Sequence, residues 1–547
     1  MATWYVRPDT THSGTRNGTS YATAWGGWTE IVWGGSGVAA GDTLYVCGAH
    51  TFSSGRSVGA HGGTTTNRTT IRGDFPSDPG SITCSGSVFL TNGRANTIIR
   101  NVTFTAGTSH AIFVTGAATL CDYIENTFNS TAANSVFSLY GANGENHADV
   151  LIQGNTFQCS GAGLAAGKAA TIEWFMSASG GTSTLTRVKI KDNLFENCNT
   201  AGTAVSVMQL RVDNAADTAC SIVDLEVDGN IFRTYKGVAI RLRDDHTGDT
   251  YDRFKGVKVR NNQFYDGGEA TTPGWGGCIS IGSFGQSTTV GFGWNELTGN
   301  IGYRQVGAAG GINCFYGSYY IANNYFEDFE TNTIDGNAIL VDLQCRDVLV
   351  HNNRWRNLRG KAGVVNSGVG IMVLNATNVR VFGNVGYDMK VGIHIGDDGT
   401  GQSAKVYNNT LWGCTDYAIY MHADADRANV SMYNNTFQGT GYSVYNNNVS
   451  AWSLEDYNNF DGFASGAYQH TLGVNDTTVS MFQFINSDGS LRMPGNPLAT
   501  AGTYVSGVTL ANGRLRPGAV PIGAYMAVTS RAALSEPRQM RIPAGVP

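Results

Sequence analysis

The chain has 547 residues, a formal net charge of −6 and only 36 basic side chains, which excludes the basic footprint that nucleic-acid binding requires. Charged residues make up 14% while 72 residues are glycine, a turn-rich composition unlike that of a helical protein. No apolar run reaches the roughly 18 residues of a spanning helix, so no membrane insertion is expected, and Met1-Ala2-Thr3-Trp4-Tyr5-Val6 lacks both the basic start and the apolar stretch of a secretory signal.

Residues 1–55 differ from the rest of the chain. Tyr21-Ala22-Thr23-Ala24-Trp25 leads into Trp28-Thr29-Glu30-Ile31-Val32-Trp33, which predicts a short apolar helix, and Gly41-Asp42-Thr43-Leu44-Tyr45-Val46 reads as a turn and a strand. A solenoid must cover its first coil, and a short N-terminal helix does so.

From residue 56 to about 480 one pattern recurs: a short alternating strand, then Asn, then an aromatic residue or Leu two positions on. It runs through Asn126, Asn155, Asn193, Asn230 and Asn262, a looser copy at Asn295, then Asn324, Asn353, Asn384, Asn409 and Asn435. A period near 30 residues that varies by insertion means one coil per repeat with loops of variable size. Alternation of period two gives each strand one core face. The Asn is expected to take a left-handed turn, bond its own backbone and stack coil on coil, and the following aromatic is expected to stack inward.

A second strand per coil aligns Ile172, Val205, Ile240, Ile279, Ile312, Ile339, Ile371, Ile393 and Ile419, with Trp174, Val207, Leu242, Ile281, Cys314, Val341, Val373, Ile395 and Met421 two residues later. Both columns are apolar and are assigned to the core. The outward column Lys189, Glu226 and Lys258 reads as a solvated ion-pair ladder without chemistry. The ten Cys include no C-x-x-C pair; they read as buried thiols stacked along the axis rather than disulfides. These observations predict an all-β, single-stranded parallel β-helix.

The opening Tyr5-Val6 strand, the short capping helix and Gly41-Asp42-Thr43-Leu44-Tyr45-Val46 resemble right-handed parallel β-helix proteins of the pectate-lyase-like superfamily. So does the closing segment, residues 481–547, with Phe484-Ile485-Asn486, Asn496-Pro497-Leu498-Ala499, Gly513-Arg514-Leu515-Arg516 and Pro521-Ile522-Gly523-Ala524-Tyr525. The resemblance covers nearly the whole chain and implies a right-handed helix that binds and cleaves a polysaccharide. Members include secreted polysaccharide lyases, glycoside hydrolases and phage tailspike depolymerases. The missing signal favours the phage type, with a virion or extracellular location and a bacterial polysaccharide as partner. Only about 20 residues follow Tyr525, too few for a trimerisation domain, so a homotrimer would associate through the helix flanks.

Hydrolysis of a glycosidic bond needs two carboxylates, about 5 Å apart for retention or 6.5–9.5 Å for inversion; elimination needs a base and a cation that neutralises a uronate. The longest repeats, Asn155 to Asn193 and Asn193 to Asn230, carry the loops best able to wall a groove. In or beside them lie outward Glu173, Arg211, Asp213, Arg241, Arg243 and Asp245. Glu173 and Asp245 are the acid/base candidates, with Asp213 a further catalytic candidate. Arg211, Arg241 and Arg243 are expected to bind substrate, and Trp275 in Gly274-Trp275-Gly276-Gly277 to stack on a sugar. The competing reading is a flank of ion pairs. A second cluster, Asp342, His394, Asp397, Asp398, Tyr420, His422 and Asp424, reads as scattered polar surface on short coils, with a lyase base at His394 as its functional alternative. The acidic turns at Asp244–Asp249 and Asp397–Gly401 do not match the twelve-residue calcium loop, so no metal or other cofactor is expected, with calcium at either turn as the alternative. A non-catalytic carbohydrate-binding protein and a structural virion protein remain the alternatives to an enzyme.

Overall fold

The structure is a computed structural model. It describes residues 1–478 apart from 9–13, 86–88, 92–93, 108–109, 131–134, 142–144, 161–168, 176–182, 201–205, 213–219, 245–252, 269–275, 284–292, 307–309, 332–335, 365–366, 397–401, 423–428, 447–453 and 464–472.

Each coil contributes a leading, a middle and a trailing strand. In one coil these are Lys189–Lys191, Leu194–Glu196 and Ser206–Val212; in the next they are Glu226–Asp228, Ile231–Lys236 and Val238–Asp244. Every strand pairs in parallel with its counterpart one coil on, as Lys189 with Glu226, Phe195 with Phe232 and Gln209 with Arg241. Leading strands make a 17-stranded sheet, and middle and trailing strands together a 27-stranded one. The stack starts where Thr3–Arg7 pairs with Thr43–Val46 and runs to Asn459–Asp461. The chain is a parallel β-helix, as its repeats predict. The helix expected near Trp28 shrinks to a single 3-10 turn, Trp28–Glu30. Trp28 packs there on Phe89 with ring centroids 5.0 Å apart, so one indole does the covering that a longer helix was expected to do.

The asparagines form the expected ladder, by a different geometry. The left-handed residue is the one before each Asn: Glu125, Gly154, Asp192, Gly229 and Asn261 all have φ between 54° and 69°. The Asn side chain then turns inward and bonds the adjacent coils, while Asn230, Asn409 and Asn435 also donate from Nδ2 to the local carbonyl two residues earlier. Asn230 Oδ1 accepts from the Asn193 N–H at 3.0 Å and from Asn193 Nδ2 at 2.9 Å. Its own Nδ2 donates to the Ile190 carbonyl at 2.8 Å and to Asn262 Oδ1 at 2.9 Å. The chain of bonds runs from Asn126 to Asn458, where Asp476 Oδ1 accepts the final N–H at 2.7 Å. Asn295 is not a member. The Asn262 N–H donates to Asn300 at 3.1 Å, and the Asn300 N–H to Asn324 at 2.9 Å.

Inside, Phe104, Phe128, Phe157, Phe195, Phe232 and Phe264 stack with centroids 4.5–5.3 Å apart. All ten Cys are free and buried, as expected for apolar filler. The two apolar trailing columns are in the core with one correction. Ile172 and Ile240 flank Met208, and Trp174 and Leu242 flank Leu210, so the coil read from Val205 and Val207 is displaced by three residues. Insertions before the strand shift its start without changing its apolar alternation, and alternation alone cannot reveal a shift. Val205 itself lies outside the described residues. Along the leading strands, Glu226 pairs diagonally with Arg260 and, at 3.8 Å, with Lys191, not with Lys189 or Lys258 of its own column.

Candidate functional site

The outward positions of the trailing strands decide what the helix can present. Glu173 sits between Ile172 and Trp174, both 0% exposed, so its side chain points away from the core. Register places Ser138, Glu173, Gln209, Arg241, Ser280 and Asn313 in one column on six successive coils. Glu173 and Arg241 are two coils apart, about 10 Å at the usual strand spacing, as read from the sequence. Although outward, the column is buried: Ser138 is 2% exposed, Glu173 7%, Gln209 1%, Arg241 3%, Ser280 6% and Asn313 8%.

Buried polar groups are generally hydrogen-bonded or paired; Glu173 and Gln209 follow that rule, while Asn313 Oδ1 has no partner among the described residues. Ser135, 0% exposed, donates from Oγ to Glu173 Oε2 at 2.7 Å. Ser206 Oγ donates to Gln209 Oε1 at 3.0 Å. Arg211 and Arg243 face each other one coil apart, two residues along from Gln209 and Arg241. The structure therefore brings Glu173, Arg211, Arg241 and Arg243 onto one face over three coils. Asp213, Asp245 and Trp275 lie outside the described residues. Sequence reading missed Ser135, Ser138, Gln209, Ser280 and Asn313. Gln209 was legible in principle, since it falls opposite Glu173 once the displaced coil is realigned; the serines carry no signal of their own.

Chemically, this face offers one carboxylate among the described residues of the column, amide and hydroxyl groups that bond sugar hydroxyls, and guanidinium groups that bind carboxylates or hydroxyls bidentately. No ligand set for a metal is present among the described residues.

Within the later cluster, His394 is not surface. His394 follows Leu340 and Met372 in the same outward column and precedes Tyr420. Phe315, Leu340, Val369, Met372, Leu374 and Val391 form a separate buried apolar patch on this outer face. His394 is 1% exposed, and neither ring nitrogen has a hydrogen-bond partner among the described residues. Burial, helped by the charge of His422, pushes its pKa down to about 3. Its ring meets Tyr420 edge-on with centroids 4.7 Å apart. The apolar neighbours on the intervening coils are the reason that sequence spacing misjudged this region. Asp342 lies two coils from His394 and two residues further along the strand, its Oδ1 accepting the Leu343 N–H at 2.5 Å. Asp397, Asp398 and Asp424 fall outside the described residues.

No protein-family model and no curated protein sequence matches this chain. Among solved structures, a mannuronic-acid-specific polysaccharide family 6 lyase from human gut microbiota is 11% identical, with 80% of this chain and 87% of that chain covered at a TM-score of 0.36. PfbA, a surface adhesin of Streptococcus pneumoniae, is 11% identical over 76% of this chain and 84% of that one, also at 0.36. Pectate lyase Pel9A is 12% identical over 96% of each chain at 0.24. At these identities the likeness is one of fold.

Proposed function

We propose that the protein binds and cleaves a polysaccharide on its trailing-strand face, as an endo-acting depolymerase of the phage tailspike type. The observation that supports this reading is the polar column itself. Over most of its length the solenoid orders apolar residues in register, yet for six coils the outward column is polar and buried, with Glu173 on its second coil and Arg241 two coils further on. Ion pairs alone would not call for the amides and hydroxyls between them, whereas a glycan chain uses all three. In this reading Glu173 and Asp245 are the acid/base pair, Asp213 assists, Arg211, Arg241 and Arg243 hold the substrate, and Trp275 stacks on a sugar ring.

Incubation with bacterial capsules, exopolysaccharides and pectins tests the proposal. New reducing ends identify a hydrolase, and absorbance from an unsaturated uronate identifies a lyase. Binding without cleavage would make it a carbohydrate-binding protein, and neither on any glycan would favour a structural role. The tailspike assignment further expects a trimer in sedimentation; a monomer that still cleaves keeps the enzyme and removes the tailspike.

A further inference from the structure

Asn295, which the repeat pattern suggested as a ladder residue, holds a different part of the molecule in place. It is 2% exposed. Its Oδ1 accepts the Val257 N–H at 3.1 Å, and its Nδ2 donates to the carbonyls of Phe254 at 3.3 Å and Gly293 at 3.4 Å. With Asn295 pinned inward, strand alternation turns Trp294 and Glu296 outward on the leading-strand face. Trp294 is 49% exposed, one of the few large apolar side chains so exposed among the described residues. Lys258 stands beside Glu296 on the preceding coil and Tyr320 beside it on the next. Gly256, at φ +63°, leaves the ground two residues before Lys258 without a side chain; a Cβ there would come within 2.6 Å of Asp224 Oδ1. The result is a depression of about 420 Å³ lined by Gly256, Lys258, Trp294, Asn295, Glu296 and Tyr320, within the range of small-molecule sites.

We propose that this depression is a second glycan-binding site, separate from the Glu173 face, that takes one neutral pyranose ring. A pyranose has an apolar C–H face and a rim of hydroxyls, and the depression has the matching parts. The open indole of Trp294 covers the apolar face, a contact whose worth scales with the area removed from water. Lys258 donates to ring hydroxyls and Glu296 accepts from them. Their charges stand side by side in register and cancel among the lining residues, which favours a neutral ring over an anion or a cation. The donors and acceptors are held in place: Thr298 Oγ1 donates to Glu296 Oε1 at 2.9 Å, and the Tyr320 ring packs edge-on against His351 at 4.9 Å. Burial, and then the Glu296 carboxylate, raise the pKa of Tyr320, which keeps its hydroxyl a donor. Glu296 is the one carboxylate among the lining residues, so the site binds without cleaving. It rests on the polysaccharide reading only in taking a glycan as ligand.

Affinity electrophoresis through gels containing soluble β-glucan, galactomannan or polygalacturonate tests it, with sedimentation velocity and cleavage assays run on the same samples. The wild type is expected to be retarded by a neutral glycan, Trp294→Ala to lose at least tenfold in affinity, and Lys258→Ala with Glu296→Gln to lose severalfold. Turnover of Trp294→Ala on a short oligosaccharide stays at the wild-type value. Equal retardation of wild type and Trp294→Ala overturns the site. Retardation by polygalacturonate alone, abolished by Lys258→Ala, overturns the neutral-ring assignment. A change in sedimentation in Trp294→Ala without a change in glycan affinity makes this face a contact between copies and also overturns it. A wild type that cleaves a glycan but is retarded by none of the three removes this site and leaves the cleavage reading standing; one that neither cleaves nor is retarded removes both.

Discussion

Glu173 shows how a residue with no local motif becomes a candidate. Its neighbours Ile172 and Trp174 are core, so parity alone points its carboxylate outward, and Ser135 then orients one oxygen. Glu173→Gln keeps the shape and an oxygen able to accept that bond. The expected outcome is a loss of cleavage of at least about 100-fold, the usual share of a general acid or base, with the melting temperature almost unchanged. A variant that keeps its rate on a confirmed substrate would move the site elsewhere. His394 supports a second prediction at this scale. Its folded pKa of about 3 lies below the ordinary histidine value of 6.5, so the unfolded chain takes up the proton first. Its contribution to stability is complete above about pH 6.5 and falls as the pH drops toward 3, by about 1.4 kcal/mol per pH unit. Melting temperature should therefore decline on acidification through this window, and His394→Leu, which continues the Leu340 and Met372 column, should decline less steeply. Parallel curves for the two proteins would show that the histidine is not the group responsible.

The ladder of asparagines belongs to the scale of the coil. Removing one amide from it, as at Asn230, breaks three bonds to the preceding coil and one to the next and leaves a buried N–H without an acceptor, a loss of about 1–3 kcal/mol for that group alone. Asn230→Ala and Asn300→Ala should each lower the urea midpoint by a comparable amount, because both occupy the same rung geometry. Asn300 keeps the preceding left-handed glycine, Gly299, but lacks the aromatic that marks other rungs, because Gly302 takes the place of Phe between Phe264 and Phe326, and that is why the repeat pattern passed over it. Missing rings are compensated by larger neighbours. Trp355 fills the space beside Gly386, where an added Cβ would lie 2.4 Å from Nε1. Gly386→Ala should therefore destabilise by about 1–3 kcal/mol through overpacking. Trp355→Phe should recover part of that loss in the double variant, since contacting residues do not add independently. Additive effects in that cycle would contradict the packing described.

For the molecule as a whole, the thiols report whether the stack is continuous. All ten Cys are buried, which shields them from a reagent; burial also raises Cys47 and Cys414 to about 12 and Cys84 and Cys121 to about 11, so these four form little thiolate at neutral pH. A thiol reagent should find essentially none in the native protein and ten after denaturation. Early release of a subset would show coils opening independently, as a chain of nearest-neighbour repeats allows.

The sequence by itself determined that this chain is a stack of coils, which faces of each strand are apolar, and that Asn recurs at one turn. Those features are periodic, and periodicity needs no knowledge of the neighbouring coil. Only the tertiary structure decided which residue of one coil lies against which of the next. Loops of changing length slide a strand start without disturbing its alternation. That is why Met208 stands where Val205 was expected and Asn300 where Asn295 was, and why His394 fell among apolar residues. A site on a solenoid is assembled across coils, so it depends on register, the one quantity that a variable repeat length conceals.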